Sequence, residues 1–487
     1  MASRKFQTAS ILTIAVVFGV QPNLVTFATS VVRTAAALTA VQNEGTLASV
    51  RRSDRSSRGA DNRLLRLSPA EHIRRANVYM SNRAFEEARA HWQALLDYYP
   101  QDPRVPEALL GIGRSYSQSR RYSEAYTVFS RLVADHGSTK EGREGLNFSA
   151  AALLRMGKPA EAVDRYVEYI SRFPNGERID TAHLNVIDTL REAGRPQDAT
   201  VWVERTRQRF AGTTTETNAL FARLRLEVAE SNWKQAVSTA DDLGRASFQK
   251  GVLTSTAEVA YLRAYSLERA GNRRAAFTAY LAIPDSVGSY YGWLATERLR
   301  KLADSSDQSL VRERLERVAS QIEGGASQYP APYQQAILRT ARTRKIDPRF
   351  MLAIIRQESV FRPFAKSPAG ARGLLQLTID AAQKYAPLAG LNSLRENELY
   401  RPETSILLGG EYIAELARMF PQGIEPVAAS YNGGEDNVAR WVKRARHKDP
   451  GVFTAEIGFE ETKGYVQKVM TNYRAYQHLY TTELGRR

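Results

Sequence analysis

Asn82-Arg-Ala-Phe-Glu-Glu-Ala88, Arg120-Arg-Tyr-Ser-Glu-Ala125, Gly157-Lys-Pro-Ala-Glu-Ala162, Gly194-Arg-Pro-Gln-Asp-Ala199 and Ser231-Asn-Trp-Lys-Gln-Ala236 decide the fold of the first half of the chain. Each is a small or polar turn followed by a helix start. The closing alanines Ala88, Ala125, Ala162, Ala199 and Ala236 stand 37 residues apart, and a sixth copy, Gly271-Asn-Arg-Arg-Ala-Ala276, follows after 40. An alanine suits a point where two helices cross closely. Aromatic and branched residues then follow in helical register, as in Ala162-Val-Asp-Arg-Tyr-Val-Glu-Tyr-Ile170. Several units end near Tyr99-Pro100 or Phe173-Pro174, where proline stops a helix. A period in the mid-thirties with this pattern predicts a helix-turn-helix solenoid over 68–302. By itself such an array supplies a binding surface or a platform that guides a polymer, and says little about chemistry.

Upstream, Arg4 and Lys5 precede the apolar run Ile11-Leu-Thr-Ile-Ala-Val-Val-Phe-Gly-Val20, and small residues follow. This is the layout of a secretory signal peptide, expected over 1–37. The cleavage point is open between Val25-Thr-Phe-Ala28 and Ala35-Ala36-Ala37, and a retained anchor stays an alternative. The apolar run is short of the roughly 18–20 residues a spanning helix wants. The mature protein is expected outside the cytoplasm, in the periplasm or cell envelope. Residues 38–67 carry Arg51, Arg52, Arg55, Arg58, Arg63 and Arg66 in a Ser/Arg/Gly-containing stretch, which reads as a basic flexible linker. The net charge of +16 over 487 residues is compatible with an acidic polymer, and no nucleic-acid motif accompanies it. With no cysteine, disulfides, thiolate metal sites, cysteine nucleophiles and lipid attachment through an N-terminal cysteine are excluded. Downstream of the solenoid, Ser289-Tyr-Tyr-Gly-Trp-Leu-Ala295, a charged helix-like stretch and Gly324-Gly-Ala-Ser-Gln-Tyr-Pro-Ala-Pro332 mark a boundary, read as a linker over 303–332.

The chemistry is expected in 333–487. Ile346-Asp347-Pro348 is a helix start, with Asp347 able to cap and Pro348 suited to the first turn. Along the helix that follows, Met351, Ile354, Ile355 and Glu358 fall on one face. An acid sharing a face with an apolar stripe loses water, which disfavours its charged form and raises its pKa, as a general acid working near neutral pH needs. A lone helical glutamate is more often bonded to a nearby amide or arginine. Here it is accompanied by Ser367-Pro-Ala-Gly-Ala-Arg-Gly-Leu-Leu-Gln376, a glycine-bearing loop, and by Ala429-Ser-Tyr-Asn-Gly-Gly434, an aromatic and an amide beside two glycines. Tyrosine can stack on sugar rings, and asparagine offers both donor and acceptor.

Glu358-Ser359, Gly373-Leu-Leu-Gln376, Ile406-Leu-Leu-Gly409-Gly-Glu-Tyr412, Ser430-Tyr431-Asn432-Gly-Gly and Glu461-Thr-Lys-Gly-Tyr465-Val466 resemble, in order, the motifs of the lysozyme-like catalytic domain of the soluble lytic murein transglycosylases. Tyr290-Tyr291-Gly292 is similar to a segment that family carries ahead of the domain, and the solenoid resembles tetratricopeptide repeats. The resemblance implies a predominantly all-α chain: a repeat superhelix, then a lysozyme-like catalytic domain over 333–487. It implies cleavage of the bond between N-acetylmuramic acid and N-acetylglucosamine, with Glu358 as sole acid and base and 1,6-anhydro products. Ser367, Leu375, Gln376, Tyr431 and Asn432 would lie along the glycan cleft, and Glu461 and Tyr465 would shape the site or touch substrate. Three positions depart from the family pattern. Leu375 replaces a methionine and keeps an apolar wall. Ser405 replaces an asparagine, which predicts loss of a bond organising its helix. Gly458 replaces a proline and loosens the approach to Glu461.

Most glycosidases need a second carboxylate; Asp380, Glu411 and Glu435 are the candidates present. The rival readings are a water-using hydrolase of lysozyme type and an inactive repeat scaffold binding wall or partner proteins. The six histidines are scattered without ligand spacing, so no metal is expected, nor any cofactor. The expected partner is the peptidoglycan glycan strand and not nucleic acid; association with membrane or wall, and protein partners on the repeats, stay open.

Overall fold

The computed structural model describes residues 46–56, 58–59 and 64–487; the expected signal segment lies outside them. Among the described residues the fold is all-α, with only isolated β-bridges. Six helix pairs, from Pro69–Ser81 with Phe85–Tyr98 to Thr256–Arg269 with Arg273–Leu281, build the solenoid. The repeat has a backbone signature. Arg83, Arg120, Gly157, Gly194, Ser231 and Gly271, each five residues before its closing alanine, all have positive φ, between 59° and 83°. The left-handed residue turns the chain from one helix into the next. All six closing alanines, Ala88 through Ala276, are 0% exposed, so no larger side chain fits without parting the helices.

In two stretches read as linkers, described residues form helices. Residues 46–56 form a helix, because its acid Asp54 is buried in the first repeat. There Asp54 accepts hydrogen bonds from Tyr79 (2.5 Å) and Arg75 and pairs with His91 (2.9 Å). Within 303–332, Gln308–Gly324 is a helix whose Val311, Val318 and Ile322 are buried. Its charged outer face hid this apolar stripe.

The C-terminal domain is seated against the turn side of the solenoid. Arg83 reaches Asp380 (2.7 Å), Arg120 reaches Glu435 (2.6 Å), and Tyr122 donates to Asp436 (2.9 Å). Further along, Glu192 takes Arg440 (2.7 Å) and Arg444 (2.6 Å). Glu456 takes Arg191 (2.5 Å), Arg225 (3.1 Å) and Arg444 (3.1 Å). Burial alone would raise the Glu456 pKa, but the three guanidiniums outweigh it and hold the carboxyl well below the usual carboxylate range. Among the described residues no helix is long and apolar enough to cross a membrane.

Candidate active site

Asp347 caps the helix Pro348–Ser359 by accepting from the Arg349 amide at 2.9 Å, and Met351, Ile354 and Ile355 are fully buried, as the stripe requires. Glu358 stands in the last turn. The helix ends abruptly because Val360 and Phe361 both adopt left-handed backbone, φ +49° and +59°. For a β-branched residue this is a strained conformation of the kind that gathers at functional sites. The Glu358 side chain is partly buried and faces the final helix, Glu460–Leu479.

There the Tyr465 hydroxyl donates to Glu358 Oε1 at 2.6 Å. Burial raises the Glu358 pKa from 4.5 to about 7; the Tyr465 bond opposes the rise and the nearby charge of Glu461 adds to it. The carbonyl end of its own helix acts in the same direction. At neutral pH Glu358 therefore exists in both protonation states, able to give a proton and to take one. Glu461 itself is exposed on the first turn of its helix.

The three candidate second carboxylates are engaged elsewhere. Asp380 pairs with Arg83 (2.7 Å), Glu435 with Arg120 (2.6 Å) and Glu411 with Arg344. The first two pairs hold their acid below the usual carboxylate range, against the effect of burial.

The glycine-bearing loop is framed by bridges from Arg372 to Lys366 and to Leu377. Gly373 has φ +78°, and a Cβ there would fall 2.0 Å from the Leu399 carbonyl oxygen, so only glycine fits. Ser367 Oγ accepts from the Ala371 amide at 3.1 Å, holding the turn closed. Gln376, itself left-handed (φ +47°), donates its side-chain amide to the carbonyls of Ala365 (3.0 Å) and Gly373 (2.9 Å). Leu375 corrects the sequence reading: its side chain is 0% exposed and cannot touch a glycan. Its carbonyl instead accepts the Tyr431 hydroxyl at 2.7 Å. Ser405 is not idle at its position: buried Ser405 Oγ accepts the Leu375 amide at 3.2 Å, tying its helix to the glycine-bearing loop.

Tyr431 is partly buried, its ring 5.0 Å from that of Tyr412. Asn432 is exposed, and its Oδ1 accepts from Thr462 at 2.6 Å, tying the helix Ile424–Gly433 to the Tyr465 helix. The structure thus brings Tyr465, Glu461 and Tyr431 around the Glu358 carboxyl. Ser367, Gln376 and Asn432 brace the segments beside it. Two groups escaped the sequence reading as contributors: Tyr412, which backs Tyr431, and Lys463, buried on the far side of the Tyr465 helix. The only signal for Lys463 was its place between Glu461 and Tyr465.

Residues 335–453 match the family described as the transglycosylase SLT domain, and residues 73–138 match a tetratricopeptide repeat family. Glu461 and Tyr465 lie beyond the matched segment. The chain is 37% identical over 155 residues to a Haemophilus influenzae protein assigned by its name to the soluble lytic murein transglycosylases, covering 32% of this chain and 26% of that protein. It is 32% identical over 172 residues to the soluble lytic murein transglycosylase of Escherichia coli K12, covering 33% of this chain and 26% of that one. The match therefore spans about a quarter of the length of these relatives. A solved structure of the lytic transglycosylase Slt from Pseudomonas aeruginosa, an inactive mutant, aligns with a TM-score of 0.49 at 17% identity, over 84% of this chain and 79% of that one.

Proposed function

We propose that this chain, which joins tetratricopeptide repeats to a transglycosylase SLT domain, is exported to the periplasm or cell envelope and there cleaves the β-1,4 bond between N-acetylmuramic acid and N-acetylglucosamine in peptidoglycan, with Glu358 as its single acid and base. One observation carries the reading: Glu358, bonded to Tyr465 and with its pKa raised to about 7, has no arginine partner, while Asp380, Glu435 and Glu411 are each bound to one. A two-carboxylate mechanism needs a second ionised group across the scissile bond. A single group titrating at neutral pH suits a mechanism in which one carboxyl acts twice.

Protonated Glu358 gives its proton to the glycosidic oxygen, and the C1–O bond breaks with assistance from the substrate's N-acetyl group. The resulting carboxylate then takes the proton of the muramic acid 6-hydroxyl as that oxygen bonds to C1. The product ends in a 1,6-anhydro ring, no water is consumed, and Glu358 is again protonated. Because the nucleophile belongs to the same sugar, its attack carries no bimolecular entropy cost. Tyr465, 2.6 Å from Glu358, stabilises the carboxylate between the two proton transfers.

The test is cleavage of purified sacculi followed by mass spectrometry. Anhydro products, lighter than hydrolysis products by one water, are expected from the parent chain, and none from Glu358→Gln. Reducing ends would reassign the chain as a hydrolase. A parent protein that leaves no cleared band in a murein gel, or a folded Glu358→Gln that still cuts, would sink the reading altogether.

A further inference from the structure

Behind the Tyr465 helix lies a buried ionic node that the reaction does not use. Lys463 precedes Tyr465 by two residues, so the two side chains leave opposite sides of the same turn. The Lys463 ammonium donates to Glu258 Oε1 (3.0 Å) and Oε2 (3.2 Å) and to the Leu253 carbonyl (3.0 Å). The Phe221 ring covers it at 5.0 Å. Glu258, 1% exposed, belongs to the last helix pair of the solenoid. It also accepts the hydroxyls of Tyr291 and Thr254, each at 2.7 Å. Arg225 and Glu456 are the other charged groups acting on Lys463. On the opposite side of the helix Tyr465 meets Glu358, whose other neighbours in charge are Glu461 and Tyr431.

We infer that Glu258 and Lys463 are positioning residues for glycan cleavage: the repeat domain seats the first turn of the Glu460–Leu479 helix and thereby sets the contact between Tyr465 and Glu358. The inference rests on the reading of Glu358 as the acid. A buried ion pair is a poor source of stability, since an apolar replacement often does as well. What it does well is fix register. The tolerance at the other end is small: a displacement of about 1 Å lengthens the 2.6 Å Tyr465 bond beyond hydrogen-bonding range. Tyr291, from the segment between repeats and catalytic domain, holds Glu258 in place, so three parts of the chain converge on one node.

The experiment uses the full chain with Lys463→Met, Glu258→Gln, the double variant and Glu358→Gln. Turnover of uncross-linked glycan strands is measured across pH, with melting curves to verify folding. Both single variants are expected to lose about ten- to a hundredfold in kcat, with KM within about twofold of the parent. The double variant should fall no lower than the worse single, because the pair acts as a unit. The alkaline limb should move upward, because a loosened Tyr465 no longer favours the carboxylate. A folded Lys463→Met with kcat within about twofold of the parent overturns the inference. So does an equal loss of kcat with an unmoved limb, which is general damage. If Lys463→Met does not fold, Glu258→Gln decides on the same readouts; if neither folds, the pair is structural and the inference is wrong. An active Glu358→Gln would instead refute the proposed function and leave the node without a reaction to serve.

Discussion

Glu358→Gln should abolish cutting and, in alkaline buffer, make the folded chain more stable. The folded carboxyl has a pKa of about 7 against an ordinary 4.5. Below pH 4.5 both folded and unfolded chains hold the proton, and Glu358 contributes no pH dependence. Between the two values the unfolded chain releases its proton while the folded chain keeps it. The unfolded state then binds fewer protons, and stability falls as pH rises. Above about pH 7 the deficit is complete. Its ceiling is about 2.5 pH units at about 1.4 kcal/mol each, or about 3.5 kcal/mol. Water reaching a partly exposed carboxylate trims this to about 1–3 kcal/mol. Glutamine has nearly the same volume, can still accept the Tyr465 hydroxyl, and does not ionise, so the substitution isolates the charge. Melting curves at pH 4.5, 6 and 8 should coincide at the lowest pH and then separate, the variant higher by a few degrees at pH 8. A constant offset, or a variant that melts lower at pH 8, would mean that the ionised carboxyl is at ease in its site. The Glu358 carboxyl would then not titrate above its ordinary range, and the acid role would fall with it.

Tyr465→Phe removes a charge-assisted bond of about 1.5–3 kcal/mol. The limb of the pH–rate profile that belongs to Glu358 should move up by about one to two pH units, read by turnover of soluble glycan. Gly373→Ala must place a Cβ 2.0 Å from the Leu399 carbonyl with φ at +78°. A loss of about 2–4 kcal/mol is expected in denaturant melts, with reduced activity as the Gln376 loop is displaced. Arg120→Gly relieves a left-handed arginine, worth about 1 kcal/mol, but strips a buried carboxylate of its partner, which costs more. The Glu435 pKa should rise, and amide exchange should quicken in the helices Tyr122–His136 and Glu435–Ala445.

The repeat was legible because its signal is local. A turn residue and an alanine five positions later recur whatever the chain does elsewhere, and all six alanines are buried as their spacing implied. Glu358 was legible for the same reason, since its apolar face is written within one helix. What stayed hidden depends on contacts far apart in the chain. Asp54 is a helix acid in a basic stretch until His91 and Tyr79 close on it. Lys463 looks like a surface lysine until Glu258, 205 positions away, meets it. Leu375 was placed in the cleft because its motif neighbours are there. Its side chain points instead into the core while its carbonyl serves Tyr431.

The six left-handed turn positions join these two kinds of information. Three of them are glycines, the residue such a turn prefers. The other three are Arg83, Arg120 and Ser231, and each makes a contact with the catalytic domain: Asp380 (2.7 Å), Glu435 (2.6 Å) and His447 (3.5 Å). Glycine there would relieve strain but leave no side chain to cross the gap. Local strain thus persists where a long-range contact offsets it. At these three turns the left-handed residue's own side chain makes the crossing, whereas the Gly194 turn meets the second domain through Glu192. Val360 and Phe361 are likewise left-handed without being glycine, and they end the helix directly after Glu358 and Ser359.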